Sequence, residues 1–256
     1  MKPIFSIITP TYNRIRQIKK LYNHLLSQKK NELIEWIIVV EKNDLETINF
    51  LKKIKLKNKI VINTGGLQNS FKNGSLKATG EYISFLGDDD FLKKNIFMAL
   101  EKEIKKNKPK WIIGYGCYIS PYGVTIRGKT TKIKNFLLNN FSKITLLLVD
   151  YVMTPSSFCQ KKYLKKVGFF KNTHWYGNDY ICWIKLSKLI EPLIIKETLS
   201  YVTYSKTTHS GSFDYWRFIS LYRNISKETK NLFINFMQFL IVIYILLHNL
   251  IIKKIF

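Results

Sequence analysis

The sequence is short of acid, of arginine and of cysteine, and each shortage narrows what the chain can be. Against 42 lysines and arginines stand 17 aspartates and glutamates, leaving a formal charge of +25 over 256 residues. Nearly all of that excess is lysine, because Arg14, Arg16, Arg127, Arg217 and Arg223 are the only guanidinium groups. Sequence-specific readers of nucleic acid rely on arginine forks set in recognisable modules. No such module is present, so no nucleic-acid partner is expected. The basic surface points instead to an anionic membrane face or a phosphate-bearing substrate. Cys117, Cys159 and Cys182 are odd in number and widely spaced, which excludes a disulfide framework and a CxxC knuckle; buried, reduced thiols are expected. His24, His174 and His248 show no zinc spacing. No GxGxxG follows the first apolar run and no Walker loop occurs, which weighs against dinucleotide and P-loop binding. The N-terminus lacks the apolar core and cleavage site of a signal peptide, so the protein is expected in the cytoplasm, at the inner face of the cell membrane.

What the chain does have is apolar content, 46%, and a regular alternation of patterns. Ile4–Thr9, Leu33–Val40, Lys59–Asn63, Glu81–Leu86 and Trp111–Tyr118 read as strands. Ile15–Gln28, Leu45–Ile54, Gln68–Ala78 and Phe91–Lys106 read as helices between them, with Asp44 as an N-cap. This order predicts βαβ units and an α/β, Rossmann-like fold with a mainly parallel sheet flanked by helices. Ligands then bind beyond the carboxyl ends of the strands, so the loops after Thr9, Val40 and Leu86 carry the interest. Farther on, Ser120–Lys129 resembles a hairpin, Ile144–Val149 is apolar and Ser156–Gln160 suggests a strand. Asn178–Leu189 suggests a helix, and Leu193–Tyr204 is extended. Leu232 to Ile252 holds no charged residue and is flanked by Lys227, Lys230, Lys253 and Lys254. A C-terminal apolar helix of about 30 Å is expected there. Asn235, Gln238, His248 and Asn249 interrupt it, so peripheral membrane contact competes with a true span, and packing on the catalytic body or in an oligomer interface is the plain alternative. Residues 1–213 would form the catalytic domain and 214–256 a helical tail.

The strongest chemical signal is Tyr82-Ile83-Ser84-Phe85-Leu86 running into Gly87-Asp88-Asp89-Asp90. Successive carboxylates repel one another unless solvated or neutralised. Mg²⁺ and Mn²⁺ favour such oxygen ligands and bridge to substrate phosphates. An acidic turn alone is more often a solvated turn, and the neighbouring motifs decide the matter. The first strand continues through Thr9-Pro10-Thr11-Tyr12-Asn13-Arg14, and Gly80-Glu81-Tyr82-Ile83 leads into the acids. Together these runs resemble the family 2 glycosyltransferases, which have the GT-A fold, over roughly Lys2 to Phe213.

The resemblance implies an inverting transfer of a sugar from a nucleotide-diphosphate donor, a UDP-sugar being favoured. The acceptor is a hydroxyl of a saccharide or lipid-linked glycan, and Mn²⁺ or Mg²⁺ is the cofactor. By the same resemblance Thr9, Pro10 and Tyr12 line the nucleobase pocket, and Arg14 lies near the donor. Glu41 binds the base where relatives carry Asp, with Lys42 replacing their next acid. Lys72 and Asn73 serve the diphosphate, Lys72 replacing an Arg. Gly87 stands where many relatives have the first Asp of their acid motif. Asp89 therefore becomes the metal ligand, with Asp90 beside it and Asp88 on the donor. Val167-Gly168-Phe169-Phe170 and Gly177-Asn178-Asp179 are similar to the region supplying the catalytic base. Asp179 takes that role, and Asn178 replaces the usual Glu. Thr207-Thr208-His209-Ser210 resembles a loop that approaches the metal, so His209 is the third metal candidate. Two other classes compete. A nucleotidyltransferase acting on a sugar phosphate would show a glycine-rich loop after the first strand, which Thr9–Arg14 lacks. A non-catalytic basic module docking on membranes or polyanions would need no Asp88–Asp90 cluster.

Overall fold

Burial along the first two strands sets the architecture. A computed structural model describes residues 2–63, 67–170, 177–204, 215–229 and 231–255. In β1 (Phe5–Thr11), Phe5 and Ile7 face one core and Ile8 the other; in β2 (Ile34–Glu41), Trp36 and Ile38 oppose Ile37 and Val39. Strands apolar on both faces must be covered on both. On the first face α1 (Ile15–Leu26), α2 (Leu45–Leu51) and α4 (Ile96–Asn107) bring Ile18, Leu21, Leu25, Leu51, Phe97 and Leu100. On the second, α3 (Leu67–Lys77), α8 (Asn178–Leu189) and α9 (Tyr215–Ser226) bring Phe71, Trp183, Leu221 and Ile225. Each such side chain stabilises the fold by about 1.5–3 kcal/mol when fully buried.

The remaining strands are β3 (Asn58–Asn63), β4 (Tyr82–Phe85), β5 (Phe91–Leu92), β6 (Trp111–Ile119), β7 (Ser157–Gln160) and β8 (Leu193–Thr203), and the sheet order is β3-β2-β1-β4-β7-β6-β8-β5. β1 to β4 are parallel neighbours, as the sequence predicts. The second half is mixed, because β7 runs antiparallel to both β4 and β6. Two reversals restore the original direction, and β8 pairs parallel with β6. The carboxyl ends of β1, β2, β4, β6 and β8 therefore share one rim. The turn that precedes β7, Thr154–Ser156, reaches the same rim because β7 is reversed.

Several elements differ from the sequence reading. Phe91 and Leu92, expected to open a helix, pair instead with Tyr201 and Ser200 of β8. The apolar Ile144–Val149 becomes α6 (Lys143–Leu148), whose Ser142 hydroxyl accepts the Thr145 N–H. Two helices had no sequence expectation, α5 (Gly128–Asn139) and α7 (Lys161–Lys166). At the C-terminal end α10 (Leu232–Ile255) turns Ile234 and Gln238 inward, and the Gln238 amide donates to the Leu147 carbonyl at 2.9 Å. Among the described residues no helix is long and apolar enough to cross a membrane. All three cysteines are free; Cys159 and Cys182 are buried as expected, whereas Cys117 is partly exposed.

Candidate active site

A cavity of about 1000 Å³ opens at the rim where the strand ends meet. Pro10, Thr11, Tyr12 and Arg14 contribute from the end of β1, Glu41 and Asn43 from β2, and Gly87 to Asp90 from β4. Tyr118, Asp150, Thr154, Asn178, Asp179 and Tyr180 line the other end.

The acids are held individually. Asp88 accepts the Thr11 hydroxyl at 2.8 Å and pairs with Arg14 Nη1 at 2.7 Å. The other guanidinium nitrogen, Nη2, reaches Asp89 Oδ2 at 2.7 Å. Asp90 turns inward and accepts the Thr203 N–H at 2.8 Å, while the Thr203 hydroxyl donates to the Asp89 carbonyl. Burial lifts the Asp88 carboxyl to about 6, against the pull of Arg14 and Thr11. Burial together with the neighbouring Asp89 charge lifts Asp90 to about 8. Three carboxyl groups in this turn thus share one guanidinium, that of Arg14. Among the described residues no three His, Cys, Asp or Glu side chains form a ready metal cage. That donor set still suits Mg²⁺ or Mn²⁺, which bind through one or two carboxylates plus substrate phosphates rather than all-protein cages.

Asp179 sits in the first turn of α8, where its carboxylate accepts the Thr154 hydroxyl and the Tyr180 N–H at 2.9 Å. It lines the same cavity as Asp88, Asp89 and Asp90.

A family model described as Glycosyl transferase family 2 matches residues 6–167, well over half of the chain. The chain belongs to glycosyl transferase family 2. Its curated relatives include the GalNAc(5)-diNAcBac-PP-undecaprenol beta-1,3-glucosyltransferase of Campylobacter jejuni, 28% identical over 196 residues, which are 73% of this chain and 60% of that protein. An uncharacterized glycosyltransferase of Mycoplasma genitalium is 31% identical over 128 residues, 46% of this chain and 42% of that one. Among solved structures, S. aureus TarS in complex with UDP-GlcNAc superposes with a TM-score of 0.70 at 22% identity, covering 89% of this chain and 66% of that chain. A mannosyltransferase from Pyrobaculum calidifontis in complex with GDP-Man and Mn²⁺ gives 0.64 at 14% identity, covering 90% and 65%. This family 2 chain spans less than two thirds of each of these proteins. The likeness to the two solved structures establishes the GT-A arrangement of the fold.

The residues expected at the site divide into three groups. Pro10, Tyr12, Arg14, Glu41, Asp88, Asp89, Asp90 and Asp179 all line the cavity. Tyr12 stands half exposed at its mouth, its hydroxyl accepting the Asn43 amide at 3.4 Å. Thr9 and Lys72 do not line it, and Asn73 approaches it only indirectly. Thr9 points into the core with Phe5 and Ile7, and its hydroxyl accepts the Trp36 indole N–H at 3.0 Å; strand alternation leaves Pro10 and Thr11 for the wall. On α3 it is Ser70 and Phe71 that face the cavity, and Lys72 is rotated away by the helical step. Asn73 donates to Asn63 at 3.2 Å, and Asn63 in turn donates to Glu41 at 2.7 Å, so Asn73 braces a wall residue from behind. His209 lies outside the described residues. Asp44 caps α2 as expected, accepting the Thr47 N–H at 3.2 Å, and also takes the Asn13 N–H at 2.9 Å. Tyr118, Asp150, Thr154, Tyr180 and Thr203 were missed. Each belongs to the second half of the sheet or its connections, where only knowledge of the reversed β7 brings it to the rim.

Proposed function

We propose that the chain is a metal-dependent glycosyltransferase that moves a sugar from a nucleotide-diphosphate donor, UDP-sugar favoured, to a hydroxyl of a saccharide or lipid-linked glycan with inversion. One observation carries the reading: the acidic turn after β4 and Asp179 of α8, remote in sequence, line one and the same cavity. Tyr12 offers a ring to stack on the base, and Glu41 a carboxylate for the base N–H groups. Arg14 can move from its carboxylates to the diphosphate. Asp89, with Asp90, would hold the divalent cation, which supplies charge neutralisation for the departing diphosphate.

Asp179 takes the proton of the acceptor hydroxyl while the Thr154 hydroxyl fixes the carboxylate's orientation. The acceptor oxygen forms its bond to the anomeric carbon as the bond from that carbon to the diphosphate oxygen breaks. The nucleoside diphosphate leaves on the opposite face, which inverts the configuration. Named relatives favour this reading: TarS is bound to UDP-GlcNAc and the mannosyltransferase to GDP-Man and Mn²⁺. The Campylobacter relative is named for a lipid-linked glycan acceptor. For such an acceptor, peripheral contact through the exposed face of α10 fits the basic chain, at the inner face of the cell membrane.

Thermal-shift measurements with UDP-, GDP- and CDP-sugars, with and without Mn²⁺, test the reading. A shift by a UDP-sugar that grows with Mn²⁺ is expected. No shift with any nucleotide sugar would leave a non-catalytic basic module as the better account.

A further inference from the structure

The two ends of the cavity differ in how fully their polar atoms are partnered. At the acid end each carboxylate has a protein donor: Arg14 and Thr11 for Asp88, Arg14 for Asp89, the Thr203 N–H for Asp90. At the Asp179 end three buried atoms have no hydrogen-bond partner, namely Asp150 Oδ1, Asn178 Oδ1 and the Tyr180 hydroxyl. Asn178 and Tyr180 are 6% and 2% exposed, and all three residues line the cavity. A buried polar atom left unpaired costs about 1–3 kcal/mol. Three of them in one wall are accounted for if a ligand completes them.

Lys134 explains how a carboxylate is kept there. It projects from α5 with 17% of its side chain exposed, and its Nζ stands 4.0 Å from Asp150 Oδ2. Tyr118, Asp150 and Asp179 are the groups that act on it electrostatically. The cation takes one side of the Asp150 carboxylate, and Oδ1 is left without a protein partner. Although 38% of the Asp150 side chain is exposed, its crowded surroundings and the repulsion of Asp179 raise the carboxyl, against the attraction of Lys134.

We propose that Asp150, anchored by Lys134, is a specificity-determining residue that accepts a hydrogen bond from a second hydroxyl of the acceptor sugar, with Asn178 and Tyr180 completing the seat. This rests on the transferase reading and names what its acceptor end recognises. Two acceptor oxygens and a phenol suit a ligand offering several O–H donors close together. A phosphate presented here would meet the charges of both Asp150 and Asp179.

The test is saturation-transfer NMR on the full chain with UDP and Mg²⁺, using methyl β-glucoside, methyl β-galactoside and methyl β-N-acetylgalactosaminide as acceptor surrogates. At least one hexoside should receive saturation from the wild type. Its signal should fall about fivefold or more in Asp150→Asn and Asp150→Ala, and less in Lys134→Gln. The UDP signals should persist in all three variants, which reports a folded donor end. Equal hexoside signals in Asp150→Asn and the wild type overturn the proposal, as does a wild type that binds UDP but no hexoside. Should the wild type bind GDP or CDP in place of UDP, the same comparison is made with that nucleotide; a wild type that binds none of the three sinks the transferase reading, and this inference with it.

Discussion

Glu35 is charged and wholly buried, and its partners make that tolerable. Ser6 donates at 2.6 Å, the Thr79 hydroxyl at 2.8 Å and the Gly80 N–H at 2.9 Å, and Lys59 lies 3.1 Å away. Burial alone would raise the carboxyl; the hydrogen bonds from Ser6, Thr79 and Gly80 outweigh it and hold it down at about 2. A depressed carboxyl contributes stability above its unfolded value and loses it as pH falls through the folded one. Melting curves of the wild type and Glu35→Gln should therefore differ by a constant amount above about pH 5, and the gap should close between the unfolded value near 4.5 and about 2. A gap independent of pH would remove Glu35 from this role. Nothing in the sequence distinguishes Glu35 from other glutamates, since its partners arrive from β1 and from the loop before β4. The place of Asp179 at the cavity was legible through the resemblance of the Gly-Phe and Asn-Asp runs to the family's pattern. Asp179→Asn is expected to cut sugar transfer by about 10²–10⁴-fold while nucleotide-sugar binding, measured calorimetrically, stays nearly intact. Near-normal turnover would exclude it as the base.

The β4–β5 connection shows what an element adds to its residues. A Cβ on Gly87 would lie 2.8 Å from Asp90 Oδ2 and 3.2 Å from its Cγ. A side chain at position 87 would press on Asp90 where it folds inward onto the Thr203 N–H. The room left at position 87 is taken by the third carboxylate of the run. Gly87→Ala should destabilise by roughly 1–3 kcal/mol through overpacking, read as a lower Tm, and Gly87→Asp should do more by adding a fourth carboxylate. An unchanged Tm in Gly87→Ala would show that Asp90 has another place to go. Local pattern delivered α1, α8 and the parallel strands β1 to β4 almost to the residue: α1 buries Ile18, Leu21 and Leu25 at helical spacing, and β1, β2 and β4 are short, continuously buried runs. It failed for β5, whose two residues are a strand only through pairing with Tyr201 and Ser200 of distant β8. It failed too for α5, where Leu138 is the one fully buried side chain and periodicity is correspondingly faint.

At the scale of the molecule, the membrane contact proposed above turns on one helix. With a step of about 100° per residue, Leu232, Phe233, Phe236, Phe239, Leu240 and Ile243 of α10 fall within a sector of about 120°. That sector is opposite Ile234 and Gln238, which pack on α6. Phe233 is 70% exposed and Phe239 58%. The proposed contact sets this apolar stripe of a chain of net charge +25 against an anionic lipid surface, where its rings would enter the interface and lysines would meet headgroups. Deleting the helix would be a blunt test, since it also removes the Gln238 contact to Leu147. The variant Phe233→Ser/Phe236→Ser/Phe239→Ser keeps Ile234 and Gln238 and strips only the outer face. Its binding to vesicles of mixed phosphatidylcholine and phosphatidylglycerol is expected to weaken by roughly 100-fold, taking about 1 kcal/mol for each ring partly withdrawn from water. Wild-type binding should also weaken as salt screens the lysines, whereas the aromatic contribution should survive. A triple variant that sediments with vesicles as the wild type does would assign this face to another protein surface, and the lysines alone would then carry the membrane attraction.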